Sequence, residues 1–205
     1  METPGLPSGL LKLLFCLPLL WRALAPVQLD SDEGWNVMRA MMAEHDLPLY
    51  NTAPGLDATN YPFLSFHLLG CLAALGVDPL FAGRSVAVLS LLALGGAAGA
   101  LVRLFTTHHY AAQFTAMLFL LWLAIWMPNR VAIDDPQLFG MVFEAAGFYA
   151  FARGGIFALR LSAYPLVLAL FIKQSLIALP IGAGLKQRDG LVLSRPSLVL
   201  WVPGG

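Results

Sequence analysis

The sequence predicts an all-α, polytopic membrane protein, on three observations. The 205 residues are 59% hydrophobic and only 12% charged, about half the charged share usual for a soluble domain. Mean hydropathy is +0.74. Apolar runs of bilayer-crossing length recur along the chain, and the polar segments between them separate acids from bases. Water could not accommodate that much apolar surface, whereas lipid solvates it without penalty. Formal net charge is zero and no basic stretch offers a footprint to a nucleic acid. Cys16 and Cys71 sit in apolar runs, with neither metal-ligand spacing nor a disulfide framework.

Leu10–Val27 reads as a first outward span. Lys12 before it and Ala23-Leu24-Ala25 near its end give it a signal-peptide look, but Trp21-Arg22 interrupts that end and the chain keeps returning to the membrane, so it reads as a retained helix. An external loop at 29–80 follows, carrying Asp30, Asp32, Glu33, Glu44, Asp46 and Asp57. Two helices are expected within it, lying along the membrane surface. Glu33–Glu44 repeats Trp35, Met38 and Met42 at helical spacing, and Pro62–Leu75 is apolar but too short to span.

Phe81–Leu104 then crosses inward to Arg103, His108 and His109, with Gly95 and Gly99 spaced for close helix packing. Ala111–Met127 crosses outward and delivers Pro128–Pro136, which holds Asp134 and Asp135. Gln137–Phe151 returns to Arg153 and Arg160. Leu161–Leu185 reads as two half-helices turning near Lys173, which keeps Lys186 and Arg188 on the basic side and leaves Lys173 at membrane depth, facing a cavity. Lysine and arginine favour cytoplasmic loops, so the acidic segments lie outside. Residues 1–188 form one module, and 189–205 read as a tail that is truncated or non-native.

Three groups could carry chemistry. Asp30, Asp32 and Glu33 open the first loop helix; capping explains one or two of these acids but not three in four residues. Asp134-Asp135-Pro136 sits where an outward helix meets an inward one, on the same side of the membrane. A carboxylate near an apolar boundary has its pKa raised, which suits a general base. Arg39, Arg84, Arg130 and Lys173 supply cations on that side, and a cation there can hold a lipid-linked phosphate. Glu144, within a span, lacks an evident partner.

These pieces, in this order, resemble the GT-C superfamily of membrane glycosyltransferases, specifically the family 39-like branch of protein O-mannosyltransferases and lipid A aminoarabinose transferases. Asp32-Glu33 followed by the helix through Met42 resembles the Asp-Glu motif that opens the first periplasmic loop of that family. Tyr61-Pro62 with Phe63–Gly76 resembles the second juxtamembrane helix. Ala82-Gly83-Arg84 resembles the start of the next span, Asp135-Pro136 the Asp-Pro after the third span, and Phe171-Ile172-Lys173-Gln174 a lysine-containing turn.

The resemblance covers about Leu10 to Arg188 and casts the chain as the N-terminal part of such an enzyme. It implies transfer of a sugar from a polyprenyl-phosphate donor to a hydroxyl acceptor, on the periplasmic side of a bacterial inner membrane. Asp32 and Glu33 would be catalytic. Asp134, Asp135 and Tyr61 would bind the acceptor or sugar, and Lys173, Arg84 and Arg130 would bind the lipid phosphate. No organic cofactor is implied; a divalent metal between the two acidic segments is an option. The competing classes are a transporter or flippase of an anionic or lipid-linked substrate and an inactive truncated membrane protein.

Overall fold

A computed structural model of the chain describes residues 17–50 and 61–188, with side chains through residue 184. The start of the expected first span with Lys12 and Cys16, the stretch from Asn51 to Asn60 including Asp57, and the 189–205 tail lie outside the described residues. All regular structure among the described residues is α-helical, as predicted. Residues 17–24 form α1. They are followed by α2 (Ser31–Glu44), α3 (Leu64–Ala74), α4 (Pro79–Phe105), α5 (His109–Trp126), α6 (Pro136–Arg153), α7 (Ile156–Ile172) and α8 (Ala178–Arg188).

Local chemistry sets the boundaries. Asp30, Asp78 and Asp135 cap α2, α4 and α6, each accepting a hydrogen bond from a first-turn amide, and proline opens α4 and α6. Gly154 and Gly155 reverse the chain between α6 and α7, both at positive φ that a side chain would oppose.

Helices α4 to α7 form the body. α4 and α5 run antiparallel with little between them. A Cβ at Gly95 would meet Leu120, and one at Gly99 would lie 3.1 Å from the Ala112 carbonyl oxygen. The expected close approach of that glycine pair is therefore present. α6 and α7 make a second tight hairpin, in which Gly147 leaves room for Leu166 and Gly140 for Leu176. Leu91, Leu94, Leu123, Val131, Ala132 and Leu138 join α4, α5 and the α5–α6 link into one apolar core. α2 and α3 pack on each other and against the first turns of α4, around Ala40, Leu69 and Ala82.

Two helices, α4 and α5, are long and apolar enough to cross a membrane. The 27 residues of α4 span roughly 40 Å. Only 11% of the α5 span is buried within the molecule, so its apolar side chains, among them Phe114, Trp122 and Ile125, face outward.

In α2, Glu33, Asn36, Arg39 and Ala40 are buried, so the helix turns its polar side toward the protein and leaves Trp35, of the apolar stripe, exposed. Two expectations need correction. α6 is 18 residues long, three more than expected, because Asp135-Pro136 starts it and Arg153 still belongs to it. The chain does break at Lys173, but α7 starts at Ile156 and is a full 17 residues, roughly 25 Å. It is not a half-helix, and it carries Lys173 to the end of the bundle where α6 begins.

Candidate functional site

The starts of α2, α4 and α6 and the end of α7 meet at one end of the bundle. All eight residues to which the resemblance gives a role are there, in two layers. The inner layer is a buried ion pair. Arg84, on the second turn of α4, donates from Nε to Glu33 Oε1 and from Nη2 to Glu33 Oε2, each at 2.7 Å. Its Nη1 and Nη2 also donate to the Ala25 and Val27 carbonyls, at 2.6 and 2.7 Å. Glu33 accepts in addition from the amides of Leu29 at 2.7 Å and Asp134 at 3.1 Å. Both side chains are 0% exposed, so this one carboxylate fixes the α1–α2 link, α4 and the α5–α6 link against each other.

Burial alone would raise the Glu33 carboxyl. The Arg84 hydrogen bonds and the two amides outweigh it and hold the group below the usual carboxylate range. The resemblance casts Glu33 as catalytic and Arg84 as a ligand of the lipid phosphate; here the two are buried against each other. With no exposed surface and its donors committed to Glu33 and two carbonyls, Arg84 has no face to offer a phosphate, and Glu33 has no free lone pair aimed outward.

The outer layer is open. Asp135, whose side chain is fully buried, accepts from the Gln137 amide at 2.7 Å. It also takes Lys173 Nζ at 3.0 and 3.2 Å and a hydrogen bond from Arg130 Nη1. The same Arg130 Nη1 lies 3.9 Å from Asp32 Oδ2, and the Asp32 side chain is 49% exposed. Lys173 Nζ also sits 4.6 Å from the centre of the Tyr61 ring, a cation–π contact.

Burial depresses the Lys173 ammonium below its usual value against the pull of Asp135. Burial raises the Tyr61 phenol, and the charges of Asp135 and Asp32 push it the same way. Lys173 thus lies at the acidic end of the bundle, beside the start of α6, a consequence of the full length of α7.

Asp134 points the other way, into the protein. It is 3% exposed, its amide is bonded to Glu33, and its carbonyl accepts from Asn36 Nδ2 at 2.5 Å. Gly83 makes room for its carboxyl, whose space a side chain at that position would occupy. Sequence reasoning missed Asn36, although it stands three residues after Glu33, on the same helical face; a search for polar residues at helical spacing would have found it. Ser65, on the buried face of α3, carried no such signal.

A divalent metal does not fit this arrangement. No set of three or more histidine, cysteine or acidic side chains among the described residues could hold one. Asp135, the central carboxylate, is already committed to two cations and an amide. What the site can do is present one accessible carboxylate, Asp32, beside one half-exposed guanidinium. No family model, curated protein or solved structure matches the chain.

Proposed function

We propose that the chain is a multi-pass membrane glycosyltransferase module. It moves a sugar from a polyprenyl-phosphate donor to a hydroxyl acceptor on the non-cytoplasmic face, in a bacterial inner membrane. The observation that carries the reading is the Asp32–Arg130–Asp135 array, in which two acidic segments about a hundred residues apart in sequence share one guanidinium at one end of the bundle. The resemblance of the motifs in order and the outward-facing apolar surface of α5 support it.

In this mechanism Asp32 takes the proton of the acceptor hydroxyl as its oxygen attacks the anomeric carbon. The bond from that carbon to the carrier phosphate oxygen breaks, and the phosphate leaves with the electron pair. It is a good leaving group, so no general acid is required. Arg130, with Lys173 behind it, stabilises the departing negative charge. Asp135 acts through Arg130 and Lys173 by orienting them, and Tyr61 borders the acceptor side. Glu33 and Arg84 are the scaffold on which this layer stands.

The test is transfer from a radiolabelled polyprenyl-phosphate sugar in membranes carrying the chain. Asp32→Asn should lower turnover by roughly 10²- to 10⁴-fold, the usual contribution of a general base, with insertion unchanged. Unaltered turnover would remove Asp32 from the chemistry.

A further inference from the structure

Behind the outer layer lies a small pocket of about 20 Å³, room for about one water molecule. Asn36, Ser65, Phe66, Gly83, Asp134 and Phe139 line it. Two polar atoms of residues that line it, Asp134 Oδ2 and Ser65 Oγ, are buried without a hydrogen-bond partner among the described residues. An ionised carboxylate oxygen left in that state is costly, whereas a carboxylic acid has a hydrogen with which to reach a partner.

The surrounding charges favour the neutral form. α2 contributes Glu33, the α5–α6 link contributes Arg130 and Asp135, α4 contributes Arg84 and α7 contributes Lys173. α3 contributes only the neutral Ser65. With Asp32 included, the acids other than Asp134 number three and so do the cations, which makes the cluster neutral when Asp134 is uncharged. Arg84 is committed to Glu33, and Arg130 and Lys173 to Asp135, so among the described residues none of these cations is bonded to Asp134.

We propose that Asp134 is a proton-binding site: the resting protein holds it as the carboxylic acid, its Oδ2–H directed across the pocket toward Ser65 Oγ. Loss of that proton to solvent leaves one uncompensated negative charge directly beneath Asp135. Burial, followed by the charges of Glu33 and Asp135, raises the group to about 8, close enough to neutral for the proton to be exchanged under ordinary conditions. The site is independent of the transferase reading, because it requires no substrate.

The experiment is a pH titration of the infrared carboxylic-acid band in the full chain in lipid nanodiscs, on a Glu144→Gln background that removes the half-buried carboxyl of α6. A band present at neutral pH should persist until the pH passes about 8. It should be missing in Asp134→Asn and shifted in frequency in Ser65→Ala. Should Asp134→Asn fail to fold, the Ser65→Ala comparison decides alone. No band at neutral pH, or one that neither substitution alters, would overturn the assignment.

Discussion

Lys173 Nζ lies 3.0 Å from Oδ1 of Asp135, a residue 38 positions earlier in the chain. The contact ties the end of α7 to the cap of α6, and it exists because the α6–α7 hairpin has arms of nearly equal length. Asp135 thereby serves at once as helix cap, as counter-ion to a buried lysine and as anchor for Arg130. Replacing Lys173 by methionine keeps the bulk and removes the charge. Transfer should fall well over tenfold and the pH optimum of what remains should move, whereas Lys173→Arg should recover part of the activity. A variant that melts early yet turns over normally would make Lys173 structural only.

The Glu33–Arg84 pair should dominate stability. Breaking a buried pair by removing one partner costs about 3–5 kcal/mol, because the other charge is left unmatched. Glu33→Gln and Arg84→Met should each lower the melting temperature sharply in detergent. The double variant should melt closer to the native chain than their sum predicts. Arg84→Lys should not rescue, since an ammonium cannot reach Glu33 and both carbonyls in one plane.

The same carboxylate gives a pH dependence of defined sign. The folded-state pKa of Glu33 is lowered, so its stabilising effect is present above its unfolded value of about 4.3 and is lost as pH falls through the folded value. Thermal melting should therefore weaken on acidification below about pH 4, and Glu33→Gln should flatten that limb. Asp134 works in the opposite sense. Its raised value stabilises the fold at low pH, and that contribution fades as pH rises through about 8.

Two glycines of one helix should respond oppositely to alanine. At Gly83 the new methyl group meets the Asp134 carboxyl, and overpacking of this kind costs about 1–3 kcal/mol. At Gly96 nothing lies within 4 Å, so the only effect is helix propensity, a gain of up to about 1 kcal/mol. Paired melting curves of Gly83→Ala and Gly96→Ala would check both signs.

Much of the architecture was legible because apolar runs, proline and capping aspartates mark helix ends by local rules. The boundaries of α4 and α5 agree with expectation to within two residues. The charge segregation also assigned Asp32 and Asp135 to one side of a membrane, and the structure brings them to one end of the bundle, around Arg130. What local rules missed was depth and direction. α7 begins at Ile156 because the Gly154-Gly155 reversal comes early, and only tertiary packing shows that it carries Lys173 to the acidic end. α2 hides Glu33 and Asn36 and exposes Trp35, the inverse of a water-facing helix, which fits a helix lying against lipid. Which acid is scaffold and which is free depended on Arg84 reaching Glu33 across 51 positions, a pairing that no local pattern encodes.

The central claim is that the Asp32 and Asp135 segments share one face of the membrane. Single cysteines at the exposed positions Ser31 and Asn129, on a background lacking Cys16 and Cys71, can be labelled with a membrane-impermeant maleimide in sealed, oriented vesicles. Both should react from the non-cytoplasmic side and neither from within. Labelling of the two positions from opposite sides would contradict the shared site and, with it, the proposed transferase.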